Sequence, residues 1–440
     1  MAQGIKVMII GKGAREHAIS QAYEQSTEVE GIIVAPGNDF IAYQREKQVL
    51  CDDSCSLTNP GSILALAEKY KPDLIDVAQD DALAAGTVDL LQQNGFSVFG
   101  PTKQAARIEW DKRWSREFMS KYELPHPNFH HFDEEPKAKK YVSEVYESNP
   151  EAILYVKAAG LCSGKGALKS GSLDKALSNI EKMSSFGESG KVFLIEEGLQ
   201  GEEFSYYAMS DGKAYITFKS AQDNKPALTF DEGDQTGGMG AISPAIVTTP
   251  FTRNIEERFI ARAINGMRNE GINYIGMLYL GGMVVKEQPV CIEYNSRWGD
   301  PECQAVLPSL KTDYLTLIKA CLQGKLASIN IEQDAKSRVC VVGASRGYPN
   351  DYSQVTGKSI HGLEGVLKME GINLLGAGIS IRDGKFYANG GRLFSIIASA
   401  DNLPDAREKA YAAISHIHIE GNNLQFRPDI GWRDVERFFS

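Results

Sequence analysis

The first hundred residues alternate short apolar runs with stretches of helical periodicity, and this alternation limits the possible folds more than any other feature. The predicted strands are 5–10, 31–34, 74–78 and 96–99, and the predicted helices are about 14–25, 61–70 and 82–93. Such alternation is typical of a parallel α/β sheet. The turn Gly11-Lys-Gly13 follows the first strand, but Glu16 stands where a dinucleotide fingerprint needs its third glycine. A dehydrogenase is therefore excluded.

A second informative segment is Cys291-Ile-Glu-Tyr-Asn-Ser-Arg-Trp-Gly-Asp-Pro-Glu302, which is typical of a strand ending in a charged turn. Side chains alternate faces along a strand, so Glu293 and Asn295 point the same way, with Arg297 just beyond. Carboxylate and amide oxygens are hard ligands that can hold Mg²⁺ against nucleotide phosphates. A polar strand edge with a capped turn is the alternative interpretation.

Two lysines lie in a predicted hairpin upstream. An apolar strand ends at Lys157, and a glycine-rich loop, Gly160-Leu-Cys-Ser-Gly-Lys-Gly166, leads to a second strand from Ala167. Glycine lets the backbone approach a phosphate closely, and Lys165 adds positive charge at the tip. The spacing is not that of a Walker A loop. An ordinary hairpin turn with a solvated lysine remains the alternative.

A third segment, 192–203, reads as an apolar strand that ends at Glu196 and Glu197 and turns at Gly198 and Gly201. A strand-to-linker segment of this kind can present backbone groups and one carboxylate to an adenine edge. It could equally be a charged strand end.

The order of these segments is that of ATP-grasp enzymes, and the chain as a whole resembles the phosphoribosylamine–glycine ligase family. The resemblance extends from end to end. It rests on segments that include Gly11-Lys-Gly-Ala-Arg-Glu-His-Ala18, Ala35-Pro-Gly-Asn38, Thr236-Gly-Gly-Met-Gly-Ala-Ile-Ser-Pro244, Arg297-Trp-Gly-Asp-Pro-Glu302 and Asn389-Gly-Gly-Arg392.

The resemblance implies a multidomain α/β and α+β fold. Its expected parts are an N-terminal parallel α/β domain (1–102), a linker helix that joins the ATP-grasp platform (103–127), a mobile ATP-grasp lid (128–194), the catalytic platform (195–328) and a C-terminal mostly β domain (329–440). Thr102 is the expected N-cap of a single helix reaching about Tyr122. One clear helix, about 404–416, is predicted in the last domain.

The resemblance also implies ATP and Mg²⁺ or Mn²⁺ as cofactors, with glycine and 5-phosphoribosylamine as substrates. Lys157, Lys165 and Arg297 are the expected catalytic residues, and Glu293 and Asn295 the expected metal ligands. The remaining ATP-binding residues are expected to be Lys112, Gly164, Gly166, Glu196, Glu197, Leu199 and Glu203.

Substrate-binding residues are expected in two places, the loops of the N-terminal domain and the segment around Thr236. The backbone N–H groups of the Gly11 to Gly13 turn are an expected site for the ribose 5-phosphate, because the turn opens a helix. The alternative is that these glycines only allow tight packing of the strand against the helix. The expected set is Gly11, Gly13, Arg15, Glu16, Pro36, Gly37, Asn38, Asp80, Asp223, Lys225, Thr236, Gly237, Gly238, Met239 and Arg297.

Several positions depart from the family pattern, mostly where the amine or glycine should bind. They are Ala14, Gln79, Asp80, Gln235 and Ile379. Two alternatives therefore stay open: a related ligase with another amine or amino acid, and a nucleotide-binding protein without turnover. The intact lysines and metal pair argue against the second.

Bulk composition narrows the possible partners. A net charge of −10 with no basic stretch argues against nucleic-acid binding. Seven cysteines without regular spacing are typical of free thiols in a reducing cytoplasm. No signal peptide or membrane-spanning segment is predicted. We expect a cytoplasmic enzyme that is a monomer or a weak dimer.

Overall fold

The computed structural model describes residues 4–162 and 164–440. The N-terminal unit is a parallel sheet, as the alternating pattern predicts, and β3 adds a fifth strand that the pattern did not reveal; the order is β3-β2-β1-β4-β5. The predicted helix over 82–93 is instead two helices, because Gly86 adopts φ 90° between them. The elements are β1 Ile5–Gly11, α1 Ala14–Glu24, β2 Val29–Pro36, β3 Gln48–Cys51, α2 Pro60–Tyr70, β4 Leu74–Val77, α3 Asp80–Ala85, α4 Thr87–Gln93 and β5 Val98–Phe99.

The linker helix predicted to run from Thr102 to Tyr122 is wrong in its start and in its continuity: it is two short helices, α5 Arg107–Trp110 and α6 Lys112–Lys121. Thr102 is not the N-cap, because its hydroxyl accepts from the Ala105 N–H at 3.3 Å in a turn before the first helix. Asp111 lies between them in an extended conformation, and its carboxylate accepts a hydrogen bond from the Trp114 N–H at 3.1 Å. A short acidic side chain that caps the backbone in this way competes with helix continuation.

The next unit is a four-stranded antiparallel sheet of order β6-β9-β7-β8, covered by two helices. The hairpin predicted around the glycine-rich loop is confirmed, with Lys157 opposite Ala167. The elements are β6 Phe129–Phe132, α7 Glu135–Ser148, β7 Leu154–Ala158, β8 Ala167–Ser170, α8 Leu173–Lys182 and β9 Phe193–Glu197.

A second antiparallel sheet, of order β11-β10-β14-β15, follows. Its last strand carries the predicted metal pair. The elements are β10 Glu202–Asp211, β11 Tyr215–Thr217, β12 Gln222–Asp223, β13 Gly240–Ser243, α9 Thr252–Ile255, α10 Arg262–Asn269, β14 Ile275–Val285, β15 Gln288–Asn295, α11 Glu302–Val306 and α12 Tyr314–Leu322.

The C-terminal part is mostly β, as predicted, with a long helix close to the expected bounds and a terminal helix that the sequence pattern did not reveal. Strands β12 and β13, from the middle of the chain, join its main sheet, because β13 pairs with β16. The elements are β16 Ser337–Ser345, β17 Ser359–His361, α13 Leu363–Val366, β18 Ile372–Gly376, β19 Ile379–Arg382, β20 Lys385–Ala388, β21 Arg392–Ala400, α14 Leu403–Ile414, β22 His418–Ile419, β23 Leu424–Gln425 and α15 Trp432–Phe439.

Three of the units share a core, whereas the sheet of β6 to β9 and its two helices have a separate one. A single buried cluster contains Val7 of the first sheet, Tyr207 of the second and Cys340 of the C-terminal sheet. Burial across unit boundaries fixes their relative positions, since apolar surface removed from water stabilises the packed arrangement. Across both described ranges, the helices are too short or too polar for a membrane crossing.

Candidate active site

Lys157 is anchored by a buried carboxylate. Its Nζ lies 2.6 Å from Glu196 Oε2 on the neighbouring strand, and Arg116 of α6 contacts the same carboxylate at 2.6 and 2.9 Å. Burial opposes ionisation of Glu196, but the charges of Arg116 and Lys157 lower its pKa to about 2. The Glu196 side chain therefore positions Lys157, and its backbone is paired with β6 on one side and β7 on the other. Arg116 gave no signal in the sequence.

The other expected adenine-side residues lie at the end of β9 and the start of β10. The Glu197 carboxylate accepts hydrogen bonds from the backbone and side-chain nitrogens of Asn128, at 3.1 and 2.9 Å. Leu199 is half-buried in the connecting turn. Glu203 Oε2 lies 3.6 Å from Lys225 Nζ. These contacts fix the segment that would border a base.

The glycine-rich loop begins beside Lys112 and ends in the exposed residues Gly164 and Lys165. The Lys112 N–H donates to Ala159 O at 2.9 Å, and its Nζ lies 3.4 Å from Gly160 O. Gly164 adopts φ 77°, a conformation that favours glycine. Ser163 of this loop lies outside the described residues.

Glu293 and Asn295 lie on the same face of β15, as predicted from strand alternation. Burial opposes ionisation of Glu293, but Lys225, Lys157 and Lys112 lower its pKa, so the carboxylate is charged. No hydrogen bond or ion pair joins it to another described residue. The Asn295 amide Nδ2 is buried without a partner in those ranges, and its Oδ1, the atom that would face a cation, accepts a long hydrogen bond from Arg297 Nη2 at 3.4 Å.

This pair suits a hard divalent cation. In the described ranges, no group of three or more Asp, Glu, His or Cys side chains is placed to hold a metal. A Mg²⁺ ion on Glu293 and Asn295 would therefore take phosphate or water oxygens as its other ligands, which is the usual coordination of Mg²⁺ at phosphate sites.

Arg297 lies in a network of carboxylates. Its Nη2 is 2.7 Å from Glu109 Oε1 and 3.9 Å from Asp80 Oδ2. Glu109 also accepts hydrogen bonds from the Ser296 N–H and hydroxyl, both at 2.8 Å. Burial lowers the pKa of Arg297, but Glu109 and Asp80 raise it above the ordinary value. Its Nε is buried without a partner among the described residues.

The loops that follow β1 and β2 meet at the carboxyl edge of the parallel sheet. The Gly37 N–H donates to Gly11 O at 2.9 Å, and Asn38 Nδ2 donates to Lys12 O at 2.7 Å. Pro36 precedes them in a cis peptide bond. Such an edge is where open α/β sheets bind ligands.

The expected phosphate site at the first turn needs a correction. The Gly13 N–H donates to the Glu16 carboxylate at 2.6 Å, so Glu16 caps the helix itself. A buried carboxylate at this place repels an anion. The geometry thus favours the packing interpretation for Gly13, and the same Glu16 carboxylate pairs with the neighbouring Arg15.

Arg15 connects the first domain to the turn after β15. Its Nε pairs with Glu16 at 2.6 Å, Nη1 donates to Trp298 O at 3.1 Å, and Nη2 donates to Gln79 Oε1. Arg297 Nη1 donates to the same Trp298 oxygen at 3.2 Å. Two guanidinium groups from distant parts of the chain therefore converge at one turn.

The remaining expected substrate residues form a tight loop between β12 and β13. Thr236 N and Oγ1 donate to Lys225 O at 3.0 and 2.5 Å, and the Gly238 N–H donates to Thr236 Oγ1 at 2.9 Å. Lys225 Nζ lies 3.2 Å from Asp223 Oδ2. Burial raises the pKa of Asp223 to about 8, although Lys225 opposes this. Met239 is fully buried at the base of the loop.

Family models cover most of the chain. The N domain of phosphoribosylglycinamide synthetase matches residues 5–109, its ATP-grasp (A) domain matches 110–303 and its C domain matches 338–433. The chain belongs to the phosphoribosylglycinamide synthetase family. Membership confirms the resemblance inferred from the motifs and the ATP-grasp architecture.

Individual relatives match the sequence of this chain over nearly its full length. The phosphoribosylamine–glycine ligases of Caldanaerobacter subterraneus subsp. tengcongensis and Escherichia coli K12 are 39% and 36% identical, covering 97% and 98% of this chain and 99% of each relative. The bovine trifunctional purine biosynthetic protein adenosine-3 is 36% identical over 98% of this chain and 42% of its own length.

Solved structures show the same fold. Phosphoribosylamine–glycine ligase from Thermotoga maritima has a TM-score of 0.80 at 28% identity, covering 97% of this chain and 100% of that one. A biotin carboxylase domain of Hydrogenobacter thermophilus has a TM-score of 0.72 at 13% identity, covering 100% of this chain and 99% of that one. The second likeness shows the fold alone.

Two of the positions that depart from the family pattern, Gln79 and Asp80, lie beside the two arginines of the candidate site. Gln79 accepts a hydrogen bond from Arg15, and Asp80 faces Arg297. Ala14 begins α1 and Ile379 packs in the C-terminal core, both buried away from open surface. Gln235 is exposed and bridges to Pro226 at the neck of the loop.

Proposed function

We propose that the chain is an ATP-dependent carbon–nitrogen ligase that joins glycine to 5-phosphoribosylamine and releases glycinamide ribonucleotide, ADP and phosphate. The match of all three phosphoribosylglycinamide synthetase domains and of full-length ligases carries the proposal, and Lys112, Lys157, Lys225 and Arg297 place positive charge around the Glu293 carboxyl. Four cations around one ionised carboxylate suit a triphosphate with its metal ion.

Ligation takes place in two steps. An oxygen of the glycine carboxylate attacks the γ-phosphorus of ATP, and ADP leaves. The amine nitrogen of phosphoribosylamine then attacks the carbonyl carbon of the glycyl phosphate, and phosphate leaves with the electron pair of the C–O bond. The protein contributes placement and charge neutralisation.

Residues of the nucleotide half have distinct roles in this scheme. Lys157, anchored by Glu196, binds phosphate oxygens, and Lys165 covers the triphosphate when the lid excludes water. Glu293 and Asn295 would hold Mg²⁺, which supplies charge neutralisation at the phosphate oxygens. Arg297 uses its unpartnered Nε to orient the glycine carboxylate or the transferred phosphoryl group.

The acceptor half is formed by the first domain and the Thr236 loop. Arg15 gives the ribose phosphate a buried cation, and Asp223 and Lys225 border the amine. A second candidate function is a related ligase with another amine or amino acid. The Gln79 departure favours it, because Gln79 contacts Arg15, whereas Asp80 keeps a carboxylate facing Arg297.

Substrate-dependent ADP release tests these functions. Purified protein is incubated with ATP, Mg²⁺ and glycine, with and without freshly generated 5-phosphoribosylamine, and both ADP and glycinamide ribonucleotide are measured. We expect ADP only with both substrates, matched by product. ADP with another amine or amino acid, and none with this pair, would instead support the related ligase.

We also propose a cytoplasmic location, for which the seven free cysteines give support, and a monomeric state with a weak dimer as the alternative. Size-exclusion chromatography with light scattering tests the monomer. A mass that doubles with concentration would indicate a weak dimer.

A further inference from the structure

Arg392, at the start of β21, connects two loops of the site. Its Nη1 donates to Gly237 O at 2.6 Å and to Asp300 O at 2.8 Å. Its Nη2 pairs with Asp300 Oδ2 at 2.9 Å. Gly237 belongs to the acceptor loop after Thr236, and Asp300 to the turn that carries Arg297. One C-terminal side chain therefore spans both.

The Gly237 residue is held on its other side as well. Its N–H donates to the Tyr348 hydroxyl at 3.0 Å, while its carbonyl accepts from Arg392. Tyr348 and Arg392 both belong to the C-terminal domain. We name the four residues Arg392, Tyr348, Gly237 and Asp300 the Arg392 clasp.

The acceptor loop has little room to move at the clasp. A Cβ placed on Gly238 would lie 2.3 Å from Pro301 Cδ and 2.8 Å from Asp223 Oδ1, and Gly238 adopts φ 111°. The acceptor loop thus fits closely between Asp223 and the Asp300 turn. A small shift of Gly237 would displace Asp223 or Pro301 in turn.

The strand topology explains why the C-terminal domain can set this spacing. Strands β12 and β13, which flank the acceptor loop, belong to the C-terminal sheet through β16, and β21 is the next strand. Arg392 therefore reaches the loop from the same rigid sheet that anchors it. Asp300 lies across from that sheet, in the turn after β15.

We propose that Arg392 is a positioning residue, assisted by Tyr348, which sets the distance between the acceptor loop and the Arg297 turn so that the amine meets activated glycine. The inference rests on the proposed function. The planar guanidinium supplies several donors in a fixed fork, whereas a lysine ammonium is a compact charge that does not span the same oxygens. Arg392 touches no reacting atom and acts through Gly237 and Asp300.

The decisive comparison is Arg392→Lys against Arg382→Lys, the same change at an exposed arginine of the same domain. For Arg392→Lys we expect kcat/KM for phosphoribosylamine to fall about 100-fold, the usual effect of a displacement near 1 Å. KM for ATP should change by less than about threefold. The share of ADP without matching product should rise, because activated glycine then reacts with water.

Two further variants separate positioning from loss of folding. Tyr348→Phe keeps the ring and removes one hydrogen bond, so we expect an about fivefold loss in the same parameter. The loss in kcat/KM of the double variant with Arg392→Lys should be smaller than the two single losses combined, because both residues act on the Gly237 peptide. Millimolar guanidinium should restore part of the activity of Arg392→Ala but none of that of Arg297→Ala.

Three outcomes overturn the inference: Arg392→Lys within threefold of wild type, additive loss in the double variant, or an equal rise in KM for ATP. A wild-type protein that makes no product refutes the proposed function instead. Hydrogen exchange then still tests the clasp, since Arg392→Lys must speed exchange in residues 236–240 and leave α14 unchanged.

Discussion

Replacing Glu196 by glutamine removes one buried negative charge and leaves two cations, Arg116 and Lys157, without compensation. The pKa of this carboxyl is about 2 instead of 4.5, and a difference of about 2.5 corresponds to about 3 kcal/mol. Because Glu196 is almost fully buried, solvent screening does not reduce this figure. Loss of one partner from a buried ion pair typically costs about 3–5 kcal/mol, which agrees.

The pH dependence follows from the direction of the change. Since the pKa is lower in the folded state, the stabilisation is complete above pH 4.5 and is lost as the pH falls towards 2. Its contribution should decline from about 3 kcal/mol at pH 7 to about 2 kcal/mol at pH 3.5. The gap between wild type and Glu196→Gln should therefore narrow by about 1 kcal/mol.

Urea unfolding followed by circular dichroism at pH 7, 5 and 3.5 measures this gap. Glu188→Gln is the matched control, because Glu188 pairs with Lys191 on the surface of the same unit and is 85% exposed. Its loss should cost less than about 0.5 kcal/mol. A Glu196→Gln variant as stable as the control at pH 7, or a gap that is the same at pH 3.5, would refute the reasoning.

Three more predictions concern single residues of the site. Glu293→Gln should abolish ADP formation while circular dichroism stays unchanged, because the metal loses its charged ligand; near-normal turnover in saturating Mg²⁺ would contradict the metal assignment. Lys165→Ala should raise KM for ATP about tenfold with any substrate; a change in amine selectivity alone would contradict the lid role. The change in melting temperature of the ligand-free protein on Asp223→Asn should be more favourable at pH 7 than at pH 4, because burial raises the pKa of Asp223 and folding above the ordinary value of 3.8 then requires proton uptake; an equal change at both pH values would show that this carboxyl does not titrate differently on folding.

Local patterns were enough to predict the parallel sheet, the Lys157 hairpin and the shared face of Glu293 and Asn295, because each depends on strand periodicity within a few residues. The break at Asp111 was missed because capping and helix continuation compete, and periodicity alone does not decide between them. Distant pairs gave no sequence signal. Arg116 contacts Glu196 80 positions away, and Glu109 contacts a turn 187 positions away.

At Gly13, by contrast, the sequence contained the deciding residue. A glycine turn that opens a helix is compatible with anion binding and with a self-capped end, and the identity of the third helical residue decides between them. Here that residue is Glu16. The sequence contained this information, since a glutamate at this position is the usual partner in a capping box.

The pairing of β13 with β16 means that the ATP-grasp part is not an autonomous module. A protein shortened at residue 328 would lose β16 and expose the edge of β13, whose four residues are all buried in the full chain. Unpaired strand edges of this kind recruit other chains and promote aggregation. Any rearrangement of this gene that separates the two parts would therefore have to supply a new strand for that edge.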